Sequence, residues 1–205
     1  LMDLALHKEL SAAIIRHVTD VIVGLTEIYL DAVGRDIDIV EIPGDDYGAM
    51  KNLLISPATF DSLLAPALSR IVRAVKGFRP DLIVAFHSDG AIGPLLSRLV
   101  DLGIDLLHPL EPLPANDMAK IKAQYGGRLS FMGAIDIREA LPGPMAVLEA
   151  EVRRRIELLA PGGGYIVAPA NHVQGDVPPE NIVSLYRLAR DSGRYPLTDR
   201  SLDHA

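Results

Sequence analysis

The feature that most constrains this chain is a pattern repeated five times: a short apolar run, a polar or proline-glycine cluster at its end, then a stretch with helical spacing. The runs are 37–42, 82–87, 104–107, 129–132 and 165–168. The clusters after them carry Asp45 and Asp46, His87 and Asp89, His108 and Glu111, Asp136, and Asn171 with His172. Apolar runs without polar alternation are covered on both faces, as parallel strands are. Connections this short force parallel neighbours joined by right-handed crossovers. Doubly wound sheets and (β/α) barrels share that pattern, but a doubly wound sheet gathers function at one switch point, whereas a barrel draws its site from many successive strand ends. Polar groups at every strand end therefore favour an α/β fold of the (β/α)8 TIM-barrel type.

A helix over residues 3–33 opens the chain, with Leu6, Leu10, Ile14, Val18, Val21, Leu25 and Ile28 on one face and no strand before it. Ser56-Pro57 caps and starts the next helix, which is expected to reach about residue 76 with a kink at Pro66. Further helices are expected over 94–102, from Asp117 to the glycine pair at 126–127, and over 144–159 and 179–192. Glu149, Glu151, Arg153, Arg154 and Arg155 read as the solvated face of the helix over 144–159. Gly162-Gly163-Gly164 precedes a strand instead of opening a helix, so it reads as a plain turn and not as a phosphate cradle. A full eight-unit barrel takes about 250 residues. With 205 residues and five units, the chain is expected to be a single domain over 1–205, a partial barrel lacking its first three strands. Open sheet edges would then make it aggregate, swap or pair unless the rest of the barrel is supplied.

Composition removes several function classes. There is no cysteine, which excludes disulfides, thiolate nucleophiles and cysteine zinc sites and leaves His, Asp and Glu as metal ligands. A net charge of −7 argues against a nucleic-acid or anionic-membrane surface. No run has the length and apolarity of a membrane span, and no cationic-then-apolar leader is present. The expectation is a cytoplasmic enzyme acting on a small molecule, with homodimerisation left open.

The candidate chemistry centres on Ile83-Val84-Ala85-Phe86-His87-Ser88-Asp89-Gly90. Extended backbone as far as Asp89 puts His87 and Asp89 on one side and Ser88 on the other. One reading has Asp89 capping the next helix while His87 bonds a neighbouring carbonyl. The other makes the two a general acid/base pair or two metal ligands at the mouth of a barrel. Asp45, Asp46 and Tyr47 read either as a hydrated turn or as a carboxylate facing the cleft beside a hydroxyl. His108 and Glu111 are expected in a proline-stiffened loop outside the chemistry, and Asp136 orients Arg138 or lines the barrel. His7, His17 and His204 read as solvated or satisfied locally, with the tail beyond Tyr195 loosely held.

Six stretches, in order and spacing, carry a family likeness: Ser56-Pro57 with Pro66, His87-Ser88-Asp89-Gly90, Pro109 to Pro112, Gly133-Ala134-Ile135-Asp136, Gly163-Gly164-Tyr165-Ile166, and above all Val177-Pro178-Pro179-Glu180-Asn181. They resemble the C-terminal half of the uroporphyrinogen decarboxylase superfamily over nearly the whole chain. The resemblance implies a (β/α)8 barrel of which this chain supplies strands four to eight. It also implies one of two chemistries: removal of acetate carboxyl groups from a porphyrinogen without a cofactor, or zinc-dependent methyl transfer working with cobalamin. The chain departs from both patterns. Asn171-His172-Val173 stands where the decarboxylases have a His-Gly pair, and Asp89 stands where the methyltransferases have the cysteine of a His-x-Cys zinc motif. The decarboxylases' substrate-handling arginine and aspartate lie in the first strands, so the resemblance assigns those roles to no position of this sequence.

The leading expectation is a decarboxylase-type lyase of porphyrin biosynthesis, or a divergent relative, with His87, Asp89 and His172 at the cleft, and Asp46 and Tyr47 as further catalytic candidates. The alternative is a methyltransferase or demethylase with zinc on His87, Asp89 and His172 and a corrinoid protein as partner; a non-catalytic fragment or subunit is the third. A polycarboxylate porphyrinogen prefers a cleft with several Arg or Lys groups. The strand ends here offer Asp, Glu and His, which points towards a less anionic substrate.

Overall fold

A computed structural model describes residues 1–197; His204 lies outside the described residues. Helices and strands alternate as expected, in two compact units, one of Leu1–His108 with Leu113–Asn116 and the other of Pro109–Pro112 with the described residues from Asp117 on.

The first unit opens with α1 (Met2–Leu6) and α2 (Lys8–Val33). The single helix expected over 3–33 is thus broken at His7, whose φ of −131° and ψ of 58° are not helical. Ser56 starts α3 (Pro57–Thr59) by accepting the Thr59 N–H on its hydroxyl at 3.0 Å. A π-helical turn (Phe60–Leu64) then leads into α4 (Ala65–Phe78). Pro66 offers no N–H and its ring crowds the carbonyl four residues earlier. The distortion expected at Pro66 takes the form of that widened turn just before it.

Strands β1 (Ile39–Ile42), β2 (Ile83–His87) and β3 (Leu106–Leu110) lie side by side in that order, each pair parallel. The 3-10 turn Gly93–Leu95 and α5 (Leu96–Leu102) connect β2 to β3. Register places Ile42 beside Phe86 and His87 beside His108. On β1 and the start of β2, Val40, Ile42, Val84 and Phe86 are buried, while Ile39, Glu41 and Ile83 are exposed on the other face. β3 corrects an expectation: the strand does not stop at 107 but runs through His108 and Pro109.

The apolar face of α2 is not its buried one. Its apolar stripe, Leu10 through Ile28, is 47% to 70% exposed, and the buried residues of the helix are Ser11, Thr19 and Leu30. α2 packs on α4, where Leu68, Ile71, Val72 and Val75 are buried. Small hydroxyl residues fit such a contact because they bond within their own helix: Thr19 donates to the Ile15 carbonyl at 2.6 Å and Thr26 to that of Ile22 at 2.8 Å. Asp20 ties the pair together by accepting from Arg70 at 2.7 Å.

In the second unit β4 (Ser130–Ile135) and β5 (Tyr165–Pro169) are parallel, and α6 (Met118–Tyr125), α7 (Met145–Leu159) and α8 (Pro179–Ser192) accompany them. Ile135, Leu141, Leu148, Val152, Ile156 and Leu185 form its core. Asn181, the last residue of the Pro-Pro-Glu-Asn run, is buried and donates both amide hydrogens, to the carbonyls of Leu141 and Gly143, each at 2.9 Å. Its role in the fold is to hold the chain between β4 and α7. The face of α7 expected in solvent is only partly so: the Glu151 and Arg155 side chains are 11% exposed each and paired at 2.8 Å. Glu151 also accepts the backbone N–H of Asp136 at 3.3 Å, and Arg155 reaches the Met118 sulfur at 3.3 Å.

Candidate functional site

Two loops of the first unit are pressed together by glycines. A Cβ on Gly44 would lie 2.1 Å from the His87 carbonyl oxygen, and one on Gly90, at φ +88°, would lie 2.4 Å from the Gly48 carbonyl carbon. Only glycine permits this approach, and it carries the loop after β1 directly over the end of β2. Tyr47 anchors that loop. Its buried ring stacks on Phe86 at 5.9 Å and meets Phe60 edge-on at 5.4 Å, and its N–H donates to the buried Ser88 hydroxyl at 3.1 Å. Ser88 in turn donates its N–H to the His108 carbonyl at 2.9 Å. Ser88 thus faces the fold while His87 and Asp89 face the other way, as period-two alternation requires.

The result is a small cluster of donor atoms. The His87 Nε2 lies 3.8 Å from Asp89 Oδ1 and 4.0 Å from Asp46 Oδ1. Asp46 is fixed there because Oδ1 also accepts the Asp89 N–H at 2.9 Å. One donor atom from each of Asp46, His87 and Asp89 lies within 4.8 Å of the other two. A second group shares the imidazole: Glu41, His87 and His108 meet the same distance condition. The Nδ1 atoms of His87 and His108 are 3.1 Å apart, with ring planes tilted by 56°. His108 was expected in a loop away from the chemistry; the strand passes through Pro109 and puts it beside His87.

Asp45 neighbours the cluster and bonds the Tyr47 hydroxyl. Burial pushes its carboxyl above the usual range, against the lowering effect of that hydrogen bond, and the Asp46 charge adds to the rise. Burial, then the Asp45 charge, also raises the Tyr47 phenol. A cleft of about 520 Å³ lined by Lys51, Asn52, Ile55, Ala91, Pro94 and Ala115 belongs to the same unit, but Asp46, His87 and Asp89 do not line it.

The remaining candidates lie in the second unit. His172 is exposed after β5, with Asn171 Oδ1 accepting its N–H at 2.6 Å and lying 3.1 Å from its Nδ1. Asp136 does not orient Arg138 by its charge: its carboxylate caps the following turn, accepting the N–H groups of Arg138, Glu139 and Ala140. The Arg138 guanidinium instead pairs with Glu111, which lies in the loop after β3 as expected but is buried there.

Parallel strands alternating with helices, with His and carboxylates gathered at the strand ends, define an α/β protein of the TIM-barrel type. Residues 1–192 match the family model described as uroporphyrinogen decarboxylase (URO-D), and the chain belongs to that family. Among solved structures it is similar to a methyltransferase from Methanosarcina mazei, at 25% sequence identity and a TM-score of 0.61 over 82% of this chain and 47% of that one. The chain thus spans about half the length of that structure. No curated protein matches it. The superfamily comprises enzymes, decarboxylases and methyltransferases among them.

Proposed function

We propose that the protein is a metal-dependent methyltransferase of this superfamily, with Asp46, His87 and Asp89 as the metal ligands. The observation that carries the reading is the cluster itself: one imidazole nitrogen faced by two carboxylates. Ligands on a tetrahedral zinc sit roughly 3.3 Å from one another, given bonds of about 2.0–2.1 Å. Side-chain rotation over less than the 4.8 Å that now bounds the three donor atoms would bring them to that spacing, so the donor set fits a divalent ion. Without a thiolate it also suits harder ions such as Mn²⁺. Lewis acidity towards a thiol or hydroxyl group of the substrate is the chemistry such an ion would supply. The chain's own residues do the positioning. His87 offers the lone pair of Nε2, the two carboxylates balance the cation's charge, and the Asp89 N–H holds Asp46 in place. A corrinoid protein as methyl partner belongs to the same proposal.

Charge supports this order of preference. Asp46 and Asp89 face His87 and Glu41 lies with both histidines, and carboxylates attract a cation while they repel a carboxylated substrate. The family description favours the second reading, cofactor-free decarboxylation with His87 as proton donor and Asp89 fixing its orientation. Elemental analysis of the purified protein, with His87→Ala and Asp89→Asn variants, separates the two. Stoichiometric divalent metal, lost in both variants, is the expected result. A protein that neither contains metal nor takes up Zn²⁺ or Mn²⁺ would sink the methyltransferase reading and leave the decarboxylase.

A further inference from the structure

We infer that His108 is a positioning residue for His87: its Nδ1 accepts the Nδ1–H of His87 and so leaves the His87 Nε2 lone pair pointing at Asp46 and Asp89. The consequence for ligation rests on the metal reading of the site. An imidazole keeps its one proton on whichever nitrogen finds an acceptor. The His87 Nδ1 has a partner at hydrogen-bond distance, His108 Nδ1 at 3.1 Å. Its Nε2 lies 3.8 and 4.0 Å from the nearest carboxylate oxygens, too far for a hydrogen bond. The proton therefore belongs on Nδ1. Two constraints keep His108 in place: its register beside His87 in the parallel ladder, and its carbonyl accepting the Ser88 N–H at 2.9 Å. Glu41 lies on the same side and completes a carboxylate–imidazole–imidazole group. Second groups of this kind fix the ring orientation and tautomer of a metal-ligating histidine, and losing one typically costs about 10–100-fold in metal affinity.

The test has two readouts at one fixed pH. Nitrogen-15 NMR of the metal-free protein reports which His87 nitrogen carries the proton, and titration with Zn²⁺ alone gives the affinity. The variants are His108→Leu, which removes the acceptor, and His108→Asn, whose side-chain carbonyl can take the same N–H. The expected result is an Nδ1-protonated His87 in the parent and in His108→Asn. In His108→Leu that tautomer should be lost and Zn²⁺ affinity should fall about 10–100-fold. An unchanged tautomer in His108→Leu would overturn the inference. So would His108→Asn binding no better than His108→Leu while Glu41→Gln also abolishes binding, because His108 would then itself be a ligand. A parent that binds no Zn²⁺ sinks the reading under Proposed function, and the metal-free tautomer still decides the role of His108.

Discussion

Asn181 shows how much one residue can hold. Its two amide hydrogens go to the Leu141 and Gly143 carbonyls, inside a buried environment that water does not easily replace. Asn181→Ala leaves two carbonyls unmet and is expected to cost about 1–3 kcal/mol, read as a lower denaturant midpoint with an unchanged slope. A loss under a few tenths of a kcal/mol would contradict this role. The Pro-Pro-Glu-Asn run was legible as a family mark, but its sequence gave no sign that its asparagine staples a loop some forty residues earlier in the chain. At the site, sequence alternation was enough to bring His87 and Asp89 together. His108 is hidden by the Pro109 that follows it, because proline cannot donate to a ladder and is uncommon inside strands. The sign available was the spacing of Leu106, His108 and Leu110, which is strand spacing. Gly44→Ala tests the loop that delivers Asp46. Its Cβ would meet the His87 carbonyl at 2.1 Å, so the loop must shift and Zn²⁺ affinity should fall although no ligand has been changed. Unaltered affinity would show that Asp46 is not held by this approach.

At the scale of elements, the helices were placed well by periodicity and caps, but their burial was not. α7 carries Glu151 and Arg155 in a charged run that reads as solvated, and the fold buries both against Asp136 and Met118. Removing one partner of a buried pair leaves an uncompensated charge, so Glu151→Ala should destabilise the protein by about 3–5 kcal/mol. The double variant Glu151→Leu with Arg155→Met should recover much of that loss, and a double variant as unstable as the sum of its parts would rule out coupling. α6 gives a prediction in pH. Asp117 caps it, accepting the Lys120 N–H at 3.2 Å and pairing with the Lys120 ammonium at 2.9 Å. The side-chain bond to Lys120, then the backbone bond, hold the Asp117 carboxyl below its usual value. Its contribution is therefore complete above the ordinary aspartate pKa and is lost as pH falls through the lowered native value. Asp117→Ala should unfold earlier than the parent at neutral pH, and the two midpoints should converge in acid. A gap that stays constant with pH would mean that the carboxylate's charge does not matter.

For the chain as a whole, the alternation of apolar runs and helices was enough to read the fold class, because buried parallel strands have a composition that survives without knowledge of their partners. Which surfaces are covered is a property of packing and cannot be read from periodicity. α2 makes the point: its heptad-like stripe looks like a core-facing seam, yet the residues it buries are Ser11, Thr19 and Leu30, and Leu10, Ile14, Val18, Val21, Leu25 and Ile28 stay exposed. Contiguous apolar patches beyond a few hundred Å² are rare on proteins that remain monomeric, because water is expelled when two of them meet. The 205-residue chain on its own should therefore self-associate, its weight-average mass rising with concentration in sedimentation equilibrium. Ile14→Lys, Val21→Glu and Leu25→Lys together should abolish that rise. The last two also place a Glu four residues before a Lys, the favourable order on a helix. Because these side chains already lie in water, the thermal midpoint should change little, as surface substitutions usually cost within about 0.5 kcal/mol. A triple variant that loses association but also unfolds early would mean that the stripe packs within the chain after all. A parent that stays monomeric throughout would mean that the stripe is tolerated in water.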